Sequence, residues 1–83
     1  MKHWDKEKLI SLLKASEEGR IELEDAMREI ATFENIKSNS VVTSACHELR
    51  HFYIDADLRA IDHVYDALMK KRLSDFIERI QQA

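Results

Sequence analysis

The chain carries almost none of the residues that interrupt secondary structure. Its 83 residues include one glycine and no proline, whereas average usage gives about six and about four at this length. Turn-rich β folds need repeated Gly, Pro and Asn signals, and Pro/Gly-rich disordered chains need more of both residues. The sequence therefore predicts an all-α protein built from uninterrupted helical segments.

The length of the chain predicts a single helical domain over residues 1–83. A domain of this size buries only about 60% of its unfolded surface, so its core is marginal without a supplement. Cys46 is the only cysteine, which excludes an intrachain disulfide and favours a reducing compartment. Apolar runs such as Leu12-Leu13 are far too short to span a bilayer. We therefore expect a cytoplasmic location and no membrane partner.

The charge pattern argues against nucleic-acid binding. Thirteen basic residues are set against sixteen acidic ones, which gives a formal net charge of -3, and both halves of the chain share the acidic excess. The one basic cluster, Lys70-Lys71-Arg72, is short, and its place near a predicted helix end fits compensation of the helix dipole. Without a basic face or a nucleic-acid-binding motif, we expect no nucleic-acid partner.

Four helices are predicted from capping residues and apolar spacing. Asp5 can cap the first helix, with Trp4 and Leu9 as a hydrophobic staple. Gly19 supplies the left-handed residue that ends this helix. The polar residues 37–40 separate the second helix from the third. The predicted helix bounds are approximately 5–18, 22–35, 40–71 and 74–82.

The third predicted helix dominates the sequence. Nothing interrupts the pattern from Val41 to about Lys71, which predicts about 30 residues and therefore about 45 Å of helix. Ser74 and Asp75 can cap a short fourth helix, with one continuous helix to the C-terminus as the alternative. Together these expectations give a three- or four-helix bundle with a long third helix.

Two rows of side chains run along the third predicted helix with alternating spacings of four and three. The first row contains Val42, Cys46, Leu49, Tyr53, Ala56, Ala60, His63 and Ala67. The second row contains His47, His51, Ile54, Leu58, Ile61, Tyr65 and Leu68. At about 100° per residue the two rows lie about 140° apart around the helix. The helix therefore has two faces that must pack against other elements.

The second row predicts self-association. The first two helices, at about 18 Å each, are too short to cover a 45 Å helix along its whole length. A monomer seldom leaves such an apolar stripe in water, and a two-fold homodimer is the commonest way to cover it. The alternative is a monomeric four-helix core in which the fourth helix folds back over part of the stripe. We therefore expect a small non-catalytic helical interaction or regulatory protein that binds itself or another helical protein, and no cofactor. The predicted interface residues are Ile54, Leu58, Ile61, Tyr65 and Leu68.

One motif in the third helix has the composition of a metal site. His47, Glu48 and His51 form an HExxH pattern, which places both imidazoles on one helix face. In zinc peptidases these histidines bind the metal and the glutamate acts as general base on the bound water. His47 and His51 are therefore candidate metal ligands, with Asp55 or His63 as a possible third. A zincin also needs a sheet and a substrate cleft, for which a small helical chain has little room.

The string His-Glu-Leu-Arg at residues 47–50 resembles the H-box of sensor histidine kinases. In that family a phosphoacceptor histidine begins a His-Glu-Leu-Arg-Thr-Pro string on an exposed face of a dimeric helical hairpin. The resemblance covers four contiguous residues and implies that His47 accepts phosphate while Glu48 helps to activate it. His51 and Phe52 stand where the family has Thr and Pro, and no glycine-rich ATP-binding segment follows. The resemblance therefore implies a phosphotransfer or kinase-mimicking module, without autokinase activity.

Two further interpretations use the same residues. Glu48-x-x-His51 matches the Glu-x-x-His element of ferritin-like di-metal bundles, but a site needs two such elements facing the interior, and Glu48 points away from the first row. The simplest interpretation keeps His47 and His51 as polar members at the end of the second row, solvated or paired across a dimer. Cys46 belongs to the first row and is predicted to be a small buried hydrophobic residue.

Overall fold

A computed structural model describes residues 5–35 and 40–82. Helices account for 88% of these described residues, and no strand is present among them. This confirms the predicted all-α class. The five helices of the described residues are α1 (Lys6–Glu17), α2 (Leu23–Glu34), α3 (Ser40–Ile54), α4 (Ala56–Ile61) and α5 (His63–Gln82).

Helix α1 begins and ends at the residues that the sequence predicts. The carboxylate of Asp5 accepts a hydrogen bond from the backbone N–H of Lys8 at 3.0 Å, which satisfies one of the free donors of the first turn. At the other end Gly19 has φ +71°. Its N–H donates to the Ser16 carbonyl, and the next N–H donates to the Ala15 carbonyl, which is the Schellman arrangement. Trp4, the other half of the predicted staple, lies outside the described residues.

The prediction of one helix over 40–71 is wrong, because Asp62 interrupts the helical backbone. Its backbone is extended, with φ -124° and ψ 98°, and its Oδ1 atom accepts the Tyr65 N–H at 3.0 Å. This is the geometry of an N-cap residue, so α5 starts at His63. A second residue, Asp55, lies between α3 and α4 with φ -91° and ψ 18°.

The prediction of a separate helix over 74–82 is also wrong, because α5 runs without a break from His63 to Gln82. Ser74 does not cap a helix there. Its hydroxyl donates to the Glu17 carboxylate at 2.9 Å, and this contact joins the middle of α5 to the end of α1.

Helix α5 folds back along α3. Glu48 pairs with Arg72, and Asp55 accepts a hydrogen bond from Tyr65. Because positions along α5 fall as positions along α3 rise, the two helices run antiparallel. The long helix expected from the sequence is therefore a hairpin, and its second arm covers part of its first.

The core lies where α1, α2, α3 and α5 meet. Tyr53 on α3 donates a hydrogen bond to Ser16 on α1 at 2.9 Å, and Cys46 on α3 lies against the Ile30 carbonyl of α2. The helix α4 contributes no buried side chain. The core cluster consists of Leu9, Leu12, Leu13, Ile30, Phe33, Val42, Ala45, Cys46, Leu49, Phe52, Met69, Leu73, Ile77 and Ile80.

Candidate functional site

The first row of the predicted long helix is buried only as far as the end of α3. Val42, Cys46 and Leu49 are buried and Tyr53 is half-buried. The later members of the row are exposed: Ala56, Ala60, His63 and Ala67. This row therefore loses its contact with the core after Tyr53.

The second row leaves large apolar side chains in solvent. We call the following set the exposed apolar patch, with the exposed fraction of each residue: Ile54 72%, Leu58 52%, Ile61 81%, Val64 81% and Leu68 49%. The first three follow helical spacing across the α3–α4 junction, where backbone hydrogen bonds of the helical type continue through Asp55. Val64 and Leu68 lie in the first two turns of α5. Five large exposed apolar side chains within residues 54–68 are more than the scattered exposure that is normal on a monomer.

The patch differs at two positions from the predicted interface. Tyr65 is half-buried, and its hydroxyl donates to Asp55 at 2.5 Å. This hydrogen bond is the largest cause of a raised pKa of the Tyr65 phenol. Val64 was missed by the sequence reasoning, although its spacing of three from Ile61 and four from Leu68 was an available signal.

Arg59 anchors the segment that carries the patch, a role that no sequence pattern indicated. Its Nε atom donates to the Phe52 carbonyl at 2.9 Å, and its guanidinium lies 3.6 Å from the centroid of the Phe52 ring. Its Nη1 atom also binds Asp66 on α5 at 3.0 Å. Hydrogen bonds from Lys70 and then Arg59 lower the pKa of the Asp66 carboxyl. One largely buried side chain thus joins α3, α4 and α5.

The two histidines of the HExxH pattern contact each other on the exposed face of α3. The ring centroids of His47 and His51 are 4.6 Å apart with an interplanar angle of 68°. Glu48, between them in sequence, pairs with Arg72 at 3.3 Å. Within residues 5–35 and 40–82 no three His, Cys, Asp or Glu side chains are grouped around a possible ion. Metal binding by His47 and His51 stays a prediction.

The side chains of the H-box-like string point to different surroundings. Leu49 is fully buried, and Arg50 binds Glu34 of α2 through both Nε and Nη2. The hydrogen bond from Arg50 lowers the pKa of the Glu34 carboxyl. His47 is exposed, while Glu48 is held by Arg72 on α5. Phosphate transfer through His47 also stays a prediction.

Comparison of the chain with protein-family models, with curated proteins and with solved structures finds no match. What the site can do must therefore be inferred from its own residues. No helix in residues 5–35 or 40–82 has both the length and the apolar character needed to cross a membrane.

Cys46 is the buried small residue that the sequence predicts. It is 1% exposed, and its Sγ atom lies 4.0 Å from the Ile30 carbonyl oxygen. Desolvation is the largest cause that raises the pKa of its thiol to about 11. At neutral pH the side chain is therefore a protonated thiol inside the core.

Proposed function

We propose that this chain is a non-catalytic helical interaction protein that pairs with a second copy of itself through the exposed apolar patch. The observation that carries the proposal is the exposure of large aliphatic side chains in residues 54–68. Their exposed fractions run from 49% at Leu68 to 81% at Ile61. Monomers seldom keep such a surface in water, and a partner helix removes it from solvent.

A second copy is the favoured partner because a two-fold dimer buries the same surface twice. Complete burial of one Leu or Ile contributes about 1.5–3 kcal/mol, whereas association costs about 4–15 kcal/mol. The exposed parts of five aliphatic side chains from each copy amount to about 10–20 kcal/mol when they are completely buried, which is comparable with the cost of association. A closed two-fold arrangement also leaves no part of the patch open for further growth.

The surroundings of the histidine motif argue against hydrolysis. A general base must be free to take a proton from bound water, whereas the Glu48 carboxylate is paired with Arg72 and its side chain is only 12% exposed. A catalytic zinc site also needs three protein ligands, and Asp55, one of the two candidates for the third, already accepts a hydrogen bond from Tyr65.

Analytical ultracentrifugation over a wide range of protein concentration tests the proposal. We expect the wild-type chain to show a concentration-dependent dimer. Leu58→Asp and Ile61→Asp should both shift it to the monomer, because each variant places a charge in the apolar contact. Leu23→Asp is the matched control, since Leu23 on α2 is 54% exposed and Leu58 is 52% exposed.

The control should dimerise like the wild type. A wild-type chain that is monomeric at every concentration contradicts the proposal. A dimer that persists in both Leu58→Asp and Ile61→Asp contradicts it as well, because the contact would then lie elsewhere. Circular dichroism of each variant confirms that the helices are intact.

A further inference from the structure

The contact between His47 and His51 is not explained by the exposed apolar patch. Both side chains are exposed and lie four residues apart on α3, so their rings project from the same face. Their ring centroids are 4.6 Å apart and the ring planes are inclined at 68°. This geometry places two imidazole rings side by side at the protein surface.

The separation of the rings matches what one metal ion needs. An imidazole nitrogen binds zinc at about 2.0–2.1 Å, which puts the ring centroid about 3.2 Å from the metal. Two rings that subtend an angle of about 90–110° at the ion then have centroids about 4.5–5.2 Å apart. The observed 4.6 Å lies in that range, so the spacing of the two rings is compatible with one shared ion.

Among residues 5–35 and 40–82 no third His, Cys, Asp or Glu side chain joins the two imidazoles in a possible metal site. The rings border an open depression of about 200 Å³ that Glu48, Tyr65, Met69 and Arg72 also line. The glutamate carboxylate binds Arg72 at 3.3 Å. Because the depression opens to solvent, water can fill the remaining coordination positions. Imidazole donors select zinc, nickel and copper, whereas magnesium and calcium prefer oxygen ligands.

We propose that His47 and His51 form a two-ligand surface site for a divalent transition-metal ion such as zinc. The site is distinct from a hydrolytic HExxH centre, because Glu48 is not available as a base. It is also independent of self-association, because both ligands come from one helix of one chain.

Zinc titration calorimetry of the untagged chain tests this site. We expect one zinc ion per chain, and an affinity at least about tenfold lower in His47→Asn and in His51→Asn, since each variant removes one of two ligands. His63→Asn, at an exposed position on α5, should bind zinc like the wild type. The same result is expected for His3→Asn, whose position lies outside the described residues, and for Leu58→Asp, whatever its oligomeric state.

A stability measurement gives a second readout. Zinc that binds the folded helix raises the urea midpoint of the wild-type chain by mass action. The same zinc concentration should leave the midpoints of His47→Asn and His51→Asn unchanged, and magnesium should have no effect on any of the chains. Absence of zinc binding overturns the proposal. Zinc binding that both variants retain, or that His63→Asn or His3→Asn abolishes, overturns it too.

Discussion

Residues 42–52 and residues 54–68 both carry apolar side chains at helical spacing. Those of the first segment are buried, whereas those of the second are largely exposed. In the first segment Leu49 is fully buried. In the second segment Leu58, nine positions later, is 52% exposed. The comparison shows that spacing determines which side chains share a helix face, while burial depends on what packs against that face.

The difference has a local cause in α5. Met69, Leu73, Ile77 and Ile80 of this helix are buried against α1 and α3. The first turn of α5 and the whole of α4 form the bend of the hairpin and contribute no buried apolar side chain, and of their residues only Tyr65 packs against the core. Apolar residues at the bend therefore remain available for a partner.

Truncation of a leucine in each segment is the strongest test of this comparison. Leu49→Ala should lower the free energy of unfolding by about 2–5 kcal/mol, because it removes contacts and leaves a cavity in the core. Leu58→Ala should cost less than about 1 kcal/mol in the dilute monomer, where little contact is lost. Urea denaturation measures both effects.

The dependence of each loss on protein concentration distinguishes the two variants further. If a second copy covers the patch, the cost of Leu58→Ala rises with concentration, whereas the cost of Leu49→Ala does not, because only the former changes a contact between chains. Equal losses in the two variants at low concentration would show that Leu58 is packed within the monomer and would remove the basis of the comparison.

Replacement of Arg59 should have the next largest effect. Arg59→Met removes the cation–π contact with Phe52 and the ion pair with Asp66, so we expect a loss of about 1–3 kcal/mol in the free energy of unfolding. Amide hydrogen exchange should also become faster in α4, because this side chain joins it to α3 and α5.

A second arginine provides the matched control. Arg28 binds Asp25 within α2, and its side chain is 72% exposed. Arg28→Met should therefore change the free energy of unfolding by less than about 0.5 kcal/mol. Similar losses in Arg59→Met and Arg28→Met would mean that Arg59 does not anchor the bend.

Removal of the cap at the start of α5 should cost about 1 kcal/mol. Asp62→Ala leaves the Tyr65 N–H without its side-chain acceptor, and losses of about 0.5–2 kcal/mol are typical of N-cap residues. Asp5→Ala removes the equivalent contact to Lys8 in α1 and should cost a similar amount by thermal or urea denaturation. No loss in Asp62→Ala would show that the bend does not depend on this cap.

The smallest effect at neutral pH concerns the thiol in the buried segment. Burial raises the pKa of Cys46 from 9.0 to about 11, so the unfolded chain loses this proton at a lower pH than the folded chain. The contribution to stability is therefore complete below about pH 9 and is lost as the pH rises towards 11.

Urea midpoints between pH 8 and pH 10 measure this contribution to stability, with Cys46→Ala as the reference. The wild-type midpoint should fall more steeply than that of the variant, because only the wild type has a thiol to ionise. Parallel slopes would show that the thiol is not desolvated in the folded chain. The two chains have every other titrating group in common, so the difference between their slopes isolates the contribution of Cys46.

Much of the fold could be predicted because it depends on neighbours in sequence. Asp5 and Gly19 act within one helical turn, so their roles as cap and terminator follow from residue type and spacing. The exposed positions Ile54, Leu58 and Ile61 could also be predicted, since they share a face that the two short helices before them do not cover.

The histidine pair was predictable only in part. The i, i+4 spacing of His47 and His51 puts both rings on one face of α3, and the structure brings them into contact. The engagement of Glu48 by Arg72 could not be predicted, because Arg72 reaches it only after the chain reverses. The same holds for Tyr65, which leaves the apolar row to bind Asp55.

The sequence by itself determined that the chain is helical, where α1 begins and ends, and which side chains share a face. Only the tertiary structure decided that Asp62 acts as a cap, and that α5 returns along α3 instead of extending it. An aspartate within a helical pattern fits both a solvated face and an N-cap. The choice between them depends on the burial gained when Met69, Leu73 and Ile77 reach a core formed by residues far away in sequence.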